Sequence, residues 1–473
     1  MKKIYLLLLL APCFAKAEIM TKKTSQSFLF TRPIFNNIPA FTSLWHDSWF
    51  DKEKKNALHA SVQYQHSFNS DKLKQYFLME DRDALKIRGT AHANYTNLDT
   101  DIRAQWLGLP TDFEGTLTIK PEQSQFCVNI SGRRSLPKLL NSSFFENMWL
   151  FFDAPVVIVR NTLNFKQEAV SGAAAATVAV RDIETAFNNS DWNYQKIKTT
   201  KRSTTNLGHL RVGFGTTFIA DGQKLVATYS ALSIPTAKTQ NNQYMFQPQV
   251  GFNGHWAMVW GIQMQLPVTR QTDQNATCLF LELENTCLIR NDQYRTFDLK
   301  NKEFSRFLLL RQKDQTTNTT TPGVNILTQS VRASAYALID ACAGVRFNVG
   351  YAQAELGFGA WGHNKESIRL NKPWKETYGI AGTTTNTSAS ASTIKTLAAN
   401  DAVFTPIKET DLDFTSASSL ATVVYRAHAS LGGRGRGQDS NALFGCGAFV
   451  EIPRNKTTAF SQWGVWVKAG GAF

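Results

Sequence analysis

The chain has 473 residues, of which 43% are hydrophobic and 19% charged, and its formal net charge is +14. After the first residues, no apolar run approaches the roughly 20 residues that a membrane-spanning helix needs, which excludes a helical membrane protein. An aromatic share of 12% and a mean hydropathy of −0.26 fit strands that present an apolar and a polar side chain in turn.

The N-terminus has the three parts of an export signal. Met1–Lys3 is basic, Ile4–Ala11 is apolar, and Ala15–Ala17 has the small residues of a cleavage site. We therefore expect residues 1–17 to be a signal peptide and the mature chain to begin near Glu18.

The mature chain stays basic, with 48 basic against 37 acidic residues once Lys2, Lys3 and Lys16 are removed, or +11. These charges are scattered along an exported chain. The pattern favours a basic lumen, or a surface that meets anionic lipid, over nucleic-acid binding.

Residues 18–55 form an aromatic-rich N-terminal segment that contains Pro33 and Pro39. The prolines argue against a long helix, and the aromatic side chains argue against a disordered tail. The segment is expected either to lie against the periplasmic end of the following domain or to enter it as a plug, and both alternatives stay open.

Alternating strands follow from residue 56 onward. In Ala57–Phe68 the odd positions are mainly polar and the even ones mainly apolar, which is the two-residue period of a strand. The same alternation, or a strand-rich composition, recurs in Leu85–Tyr95, Phe126–Ile130, Met148–Leu163, His255–Val268, Val345–Val349, Ala352–Trp361, Thr422–Leu431 and Ala442–Ile452. Asp221-Gly222 and Asn253-Gly254 are tight-hairpin signals.

Three connections are predicted to be long loops. Glu168–Phe187 carries apolar residues at helical spacing, which predicts a short helix within a loop. Gln315–Gly323 and Gly382–Ala402 are rich in Thr, Ser, Asn and Ala, a composition typical of solvent-facing loops.

The last strand places Trp463, Val465, Val467 and Phe473 on one face, with Trp466 as the large exception on the polar face. A terminal Phe after apolar residues at every second position resembles the C-terminal signature of Gram-negative outer-membrane β-barrels. The resemblance implies an all-β fold with residues 56–473 forming a single transmembrane antiparallel barrel. It also implies location in the bacterial outer membrane, lipid contact, and Phe473 as a signal for the barrel assembly machinery. We expect about 14 strands, and up to 18, with short helices in the loops.

Neither a cofactor nor enzymatic activity is expected. The mature cysteines are odd in number and lack metal-ligand spacing. Cys278 and Cys287 flank a short segment, which leaves a loop disulfide and two free thiols as alternatives. His428 and Ser430 resemble in part the His-x-Ser pair of outer-membrane phospholipases, but Leu431 departs from that pattern, so both are interpreted as polar residues of the barrel interior.

The parity of the predicted strands also points basic side chains into the barrel. These pore-lining candidates are Lys86, Arg88, Arg211, Arg346, Arg426 and Lys468. Fewer acids, such as Glu355 and Glu451, point inward, so the lumen is expected to be net basic. The alternative is that these charges do not select solutes but pair with one another and stabilise the barrel wall.

The predicted function is a porin-like channel for passive diffusion of small hydrophilic solutes, with anions favoured. A plugged transporter for hydrophobic compounds and a non-conducting surface or adhesion barrel are the alternatives. The resemblance to porins leaves a homotrimer open.

Overall fold

The computed structural model describes residues 25–44, 49–50, 54–79, 82–96, 99–136, 147–171, 180, 182–221, 223–269, 275–313, 319–334, 337–380, 406–436 and 441–473. The predicted signal peptide, the loop Gly382–Ala402 and the centre of the loop Gln315–Gly323 lie outside these residues.

Twelve strands form a closed antiparallel barrel. They are β1 Asn56–Ser67, β2 Glu122–Ser135, β3 Met148–Thr162, β4 His209–Asp221, β5 Lys224–Pro235, β6 Ala257–Pro267, β7 Asn275–Leu288, β8 Ala337–Val349, β9 Ala352–His363, β10 Thr422–Arg436, β11 Asn441–Pro453 and β12 Gln462–Ala472. Each strand pairs with its neighbour in the chain, and β12 closes the barrel by pairing with β1, from Ala57 opposite Ala472 to Ser67 opposite Gln462. An additional strand, Arg202–Leu207, pairs with residues Val156–Asn161 of β3.

The side chains of the barrel strands alternate between the outside and the lumen. On β12, Trp463, Val465 and Val467 are exposed on the outside, whereas Gln462 and Lys468 are buried inside. Large exposed apolar side chains cover the outside of the other strands in the same way, among them Leu58, Val62, Ile130, Leu150, Phe152, Val212, Phe214, Met258, Trp260, Leu279, Phe347, Leu356, Phe358, Leu431, Phe444 and Val450. A closed barrel with an apolar exterior is the architecture of outer-membrane β-barrels, so the predicted resemblance to that superfamily is confirmed. Among the described residues, no helix combines the length and the apolar character that a membrane crossing requires.

The two ends of the barrel differ. At one end, which we call the turn end, short connections such as residues 350–351 link the strands. At the other end the connections 68–121, 163–208, 236–256, 289–336 and 364–421 are long, and together they build a folded layer that we call the cap.

The cap has its own helices and small sheets. Its helices are α2 Ser70–Leu78, α3 Ile183–Phe187 and α4 Gly323–Ile326, whereas α1 Ile38–Thr42 precedes the barrel; the 3-10 helices are Ala104–Leu107, Ser305–Phe307 and Glu409–Asp411. Its strands are Leu85–Arg88, Ile102–Arg103, Glu114–Thr118, Lys166–Ser171, Asn291–Thr296, Asp298–Leu299, Leu309–Gln312, Thr320–Pro322, Thr328–Ala333, Ile368–Leu370, Tyr378–Ile380 and Leu412–Asp413. These elements share one apolar core that includes Phe77, Ile87, Phe113, Phe187 and Phe307.

The predicted count of 14 to 18 barrel strands is wrong, because the barrel has twelve. Leu85–Arg88 alternates as predicted, but Leu85 and Ile87 bury their side chains in the cap core instead of facing lipid. Alternation reports that one face of a strand is apolar and does not report what covers that face. The helix predicted within Glu168–Phe187 is present in part, as α3, where Asp182 caps the first turn by accepting a hydrogen bond from the Thr185 backbone N–H at 2.7 Å.

The inward-pointing Trp466 depends on a glycine on the neighbouring strand. Gly447 lies directly opposite Trp466, and a Cβ atom added at Gly447 would come within 2.3 Å of the indole ring.

We predict that Gly447→Ala destabilises the barrel by about 1–3 kcal/mol, because the ring has to shift to admit the methyl group. The measurement is the urea midpoint at which heat-modifiable migration on gels is lost. Gly435→Ala on β10 is the matched control, since an added Cβ there meets nothing within 4 Å. If Gly447→Ala unfolds at the same urea concentration as the control, the close packing of Trp466 on β11 does not limit stability.

Candidate functional site: the occluded lumen

Residues 25–44, which we call the plug, run through the barrel from the cap towards the turn end. At the cap the backbone N–H of Ser27 donates to the carbonyl of Ser416 at 2.8 Å. At the other extreme Leu44 packs with Trp466 on β12 and lies over Gly432 and Gly445. The plug therefore occupies the lumen through the middle of the barrel. The next described residues, Trp49 and Phe50, pack against Trp149 near the turn end.

The first anchor of the plug is Arg32, whose side chain is buried between two carboxylates of the barrel wall. Its guanidinium donates to Asp340 on β8 at 3.1 Å and to Glu451 on β11. Arg426 on β10 contacts the same two acids, at 2.6 Å from Asp340 and 3.4 Å from Glu451. The wall thus contributes two negative charges and one positive charge, and Arg32 brings this group to neutrality.

The second anchor lies at the C-terminal end of α1. The Thr42 hydroxyl donates to Glu282, and the Ser43 hydroxyl donates to Glu355 at 2.7 Å. From the opposite wall, the Lys468 ammonium donates to the carbonyls of Phe41 and Ser43 at 2.7 and 2.8 Å. These are the last carbonyls of a short helix, which lack partners within the helix.

Glu355 is also bound by the wall itself. Glu355 accepts hydrogen bonds from the Arg346 guanidinium at 2.6 Å, and His428 lies 3.0 Å from its other oxygen. Ser430, the second residue of the His-x-Ser pattern noted in the sequence, is also buried.

A third charged group lies beside the plug. Arg211 on β4 donates to Glu284 at 2.9 Å, and Tyr229 donates to the same carboxylate at 2.7 Å. Asp153 on β3 lies 3.9 Å from Arg211. The plug touches this group through Phe41, whose ring centre is 5.9 Å from the Arg211 guanidinium carbon.

The prediction of a net basic lumen is wrong. On the described parts of the barrel strands, six acids and six bases have buried side chains: Asp153, Glu282, Glu284, Asp340, Glu355 and Glu451 against Arg133, Arg211, Arg346, Arg426, Arg434 and Lys468. Burial explains the balance, since an unpaired charge in the interior is costly.

The rest of the wall is polar but uncharged over much of its surface. On β1 and β2 the buried inward side chains include Ser61, Gln63, Gln65, Asn129 and Ser131. Gln125 on β2 also reaches the plug, where its side-chain oxygen accepts from the Ile34 backbone N–H at 3.0 Å and its amide donates to the Arg32 carbonyl at 3.1 Å. The plug is therefore held by polar contacts along most of its length.

The structure separates the six pore-lining candidates into two groups. Arg211, Arg346, Arg426 and Lys468 point into the lumen, each in contact with a carboxylate or with the plug. Lys86 and Arg88 lie on a cap strand and do not line the barrel, which corrects their assignment. Both contact Asp99, and their hydrogen bonds lower the pKa of that exposed carboxyl to about 2.

Of the two alternatives for Cys278 and Cys287, the structure shows free thiols and not a loop disulfide. Cys278 and Cys287 lie on the same strand, β7, and both are free thiols. They are nine residues apart, or roughly 30 Å in an extended strand, and an odd separation places them on opposite faces. Cys278 is buried inside the barrel and Cys287 is exposed outside.

Sequence reasoning missed seven charged residues of the lumen: Arg32, Arg133, Asp153, Glu282, Glu284, Asp340 and Arg434. Parity could have found Asp340, because it lies an even number of residues from Arg346 on one strand. Glu282 and Glu284 were hidden by the interpretation of their segment as a loop. Nothing local marks Arg32, since its role depends on where the plug lies.

No protein-family model matches this chain, and no curated protein matches it. Three solved structures are similar over most of its length. For the COG4313 outer membrane channel from Pseudomonas putida F1, the identity is 10%, the TM-score 0.37, and the match covers 89% of this chain and 96% of the channel. A Pseudomonas aeruginosa FadL homologue has 9% identity and a TM-score of 0.28, covering 96% of this chain and 99% of that one. Pseudomonas putida OprB in its low-pH structure has 7% identity and a TM-score of 0.19, covering 96% and 100%. Superpositions this loose support no functional conclusion.

The cysteines of the barrel provide a direct test of the plug. Cys127 on β2 is buried against Ile34 of the plug, and Cys342 on β8 faces the lumen beside His428. We predict that a hydrophilic maleimide modifies neither thiol in the native protein, because both are shielded from the reagent.

The measurement compares variants that each keep one cysteine, with the others changed to Ala. A cysteine introduced at the exposed cap residue Lys372 (Lys372→Cys) is the reference for a reactive site, and urea-unfolded samples give the limit of full modification. Native Cys127 reacting as fast as the cysteine of Lys372→Cys would contradict the placement of the plug.

Proposed function

We propose that this protein is a plugged channel of the bacterial outer membrane, which conducts small hydrophilic solutes when residues 25–44 leave the lumen. The observation that carries this proposal is the charge arrangement around Arg32. The wall group of Asp340, Glu451 and Arg426 has one excess negative charge, and Arg32 of the segment that closes the barrel neutralises it. Such a segment is held firmly, yet it contains no cysteine that could join it to the wall by a disulfide.

The polar wall favours hydrophilic solutes over hydrophobic compounds. A channel for apolar compounds needs an apolar surface along its path, whereas the wall facing the plug carries glutamines, serines, asparagines and paired charges. The cavity lined by Phe77, Leu85, Phe187 and Phe307 in the cap core has a volume of only about 10 Å³, close to the space of one water molecule. The balanced charges of the wall give no reason to retain the preference for anions.

The orientation follows from the lengths of the connections. Outer-membrane barrels place short turns in the periplasm and long loops outside the cell, so the cap would face the exterior and Trp49 and Phe50 the periplasm. The apolar exterior would contact outer-membrane lipid, and Phe473 would be read by the barrel assembly machinery. We propose no enzymatic activity and no stable partner beyond these.

Opening requires the charges around Arg32 to separate or to find new partners. Removing one member of a buried ion pair typically costs about 3–5 kcal/mol. A solute, a membrane potential or an external partner would have to supply part of that free energy by stabilising the open state. Without such a contribution the channel stays closed nearly all the time.

We predict that wild-type protein in planar bilayers is closed almost continuously, and that Arg32→Gln raises the conducting fraction at least about tenfold. Gln keeps the side chain polar while removing its charge, so Asp340 and Glu451 then hold Arg426 alone and the plug loses one anchor. Tenfold corresponds to about 1.4 kcal/mol, less than the full cost of a broken buried pair.

Arg160→Gln, at an exposed arginine of β3, is the matched control and should behave as wild type. A wild-type channel that conducts steadily would show that the plug does not close it. If Arg32→Gln makes Cys127 reactive but produces no conductance, the protein is instead a non-conducting surface barrel.

A further inference from the structure

The side chain of Arg32 fills a site whose other members all belong to the barrel wall. One terminal nitrogen of the guanidinium donates to Asp340 on β8 at 3.1 Å, and the other terminal nitrogen donates to Glu451 on β11. The ring centre of Trp361 on β9 is 5.0 Å from the guanidinium carbon. Carboxylates and aromatic rings are the groups that bind a guanidinium in proteins. We call Asp340, Glu451 and Trp361 the Arg32 site.

The contacts that hold this site in shape are made within the wall. Arg426 on β10 contacts Asp340 at 2.6 Å and Glu451 at 3.4 Å, and it lies directly opposite Glu451 in the strand register. The side-chain amide of Gln462 on β12 donates to the other oxygen of Glu451 at 2.6 Å. Because these contacts join barrel strands and not the plug, we expect the site to keep its shape when the plug leaves.

Negative charge extends from the Arg32 site to the neighbouring strands. Glu284 on β7 lies directly opposite Asp340, and Asp153 on β3 lies directly opposite Arg211 on β4. The Arg211 guanidinium joins these two pairs by donating to Glu284 at 2.9 Å. The result is a belt of buried side chains with four carboxylates and two guanidiniums, a formal charge of −2. We call this set the acidic belt: Asp153, Glu284, Asp340 and Glu451 with Arg211 and Arg426.

The acidic belt is short of cations when the plug is absent. Like charges directly opposite each other on adjacent strands repel, as those of Glu284 and Asp340 do, and Arg32 is the cation that the plug adds beside Asp340. The other buried bases on the described parts of the wall lie in different places: Arg346 is bonded to Glu355, Lys468 contacts α1, and Arg133 and Arg434 lie near the turn end. The lumen is therefore balanced as a whole and acidic around the Arg32 site.

We propose that the Arg32 site binds solutes that carry a guanidinium group, and that the open channel passes such solutes in preference to neutral ones. This preference rests on the proposed function, because solute reaches the site only when the plug leaves the lumen. A guanidinium has N–H groups on separate nitrogens and contacts Asp340 and Glu451 at once, as Arg32 does, whereas an ammonium is a single point charge. A solute bound there replaces the charge of Arg32 and thereby stabilises the open state.

The first test measures binding and does not require conduction. Arg32→Ala removes the guanidinium and leaves space for methylguanidinium, which is titrated into the full mature protein in detergent and followed by calorimetry. We expect it to bind at least about tenfold more tightly than methylurea, its uncharged isostere, because two carboxylates face the charge. Wild-type protein, in which Arg32 fills the site, should bind neither compound. Adding Asp340→Asn to Arg32→Ala should remove the difference, whereas adding Asp112→Asn, at an exposed carboxylate of the cap, is the matched control and should preserve it.

The second test measures passage through the channel. Liposomes containing the Arg32→Gln protein are compared for uptake of arginine and of citrulline, which carries a neutral ureido group in place of the guanidinium. We expect arginine to enter at least about tenfold faster, since an acidic wall raises the local concentration of cations. Adding Asp340→Asn should reduce this ratio, and adding Asp112→Asn should not.

The outcomes separate the site from the channel. Equal binding of methylguanidinium and methylurea to folded Arg32→Ala protein would overturn the proposal, and so would equal uptake of arginine and citrulline by a conducting channel. Binding of methylguanidinium without uptake of either amino acid would support the site and overturn the channel. Heat-modifiable migration verifies the folding of each variant, and the uptake measurement uses Arg32→Gln, so it does not depend on whether Arg32→Ala folds.

Discussion

The sharing of Asp340 and Glu451 by Arg426 and Arg32 is the interaction on which the closed state of this barrel depends. All four side chains are buried, and the Arg32 guanidinium also lies 5.0 Å from the ring centre of Trp361. Buried charges are tolerated when each has partners, and here two arginines and two carboxylates satisfy this condition only when the plug is in place. This group of four charges is therefore neutral only when the plug is in place.

The interior of the barrel is built around this requirement. A polar lumen wall would be solvated by water in an open pore, but in the closed barrel its groups face a segment of protein. Hydroxyls of Thr42 and Ser43 and carbonyls of α1 supply hydrogen bonds that water would otherwise make. The plug also buries apolar side chains, among them Phe28, Phe30 and Ile34, so its exchange for solvent on opening costs hydrophobic burial as well.

The cap has a different physical basis from the lumen. It is held by a continuous apolar core under long connections, and its charged residues lie at its surface or pair locally, as Arg88 does with Glu114 at 2.6 Å. The plug enters this core at Ser25, whose hydroxyl donates to the Phe77 carbonyl at 2.6 Å. One end of the plug is thus anchored by the cap and the middle by the charges of the barrel, which places any hinge between these two regions.

The sequence by itself determined the barrel exterior. Alternation along β1, β6 and β12 assigns lipid-facing and lumen-facing residues correctly, because the two-residue period of a strand is a local property. The same parity placed Arg211, Arg346, Arg426 and Lys468 inside. It also marked Trp466 as an exception, and the structure supplies the reason: this ring packs against Ala40 and Leu44 of the plug.

Only the tertiary structure decided the strand number, the charge balance and the state of the lumen. Leu85–Arg88 alternates like a barrel strand and packs in the cap, since alternation does not identify what covers an apolar face. Glu282 and Glu284 were not assigned to the lumen from the sequence, because the segment between Cys278 and Cys287 was interpreted as a loop and not as a barrel strand. Arg32 meets Asp340 and Glu451 across more than 300 residues of chain, and no local pattern encodes a partner at that distance.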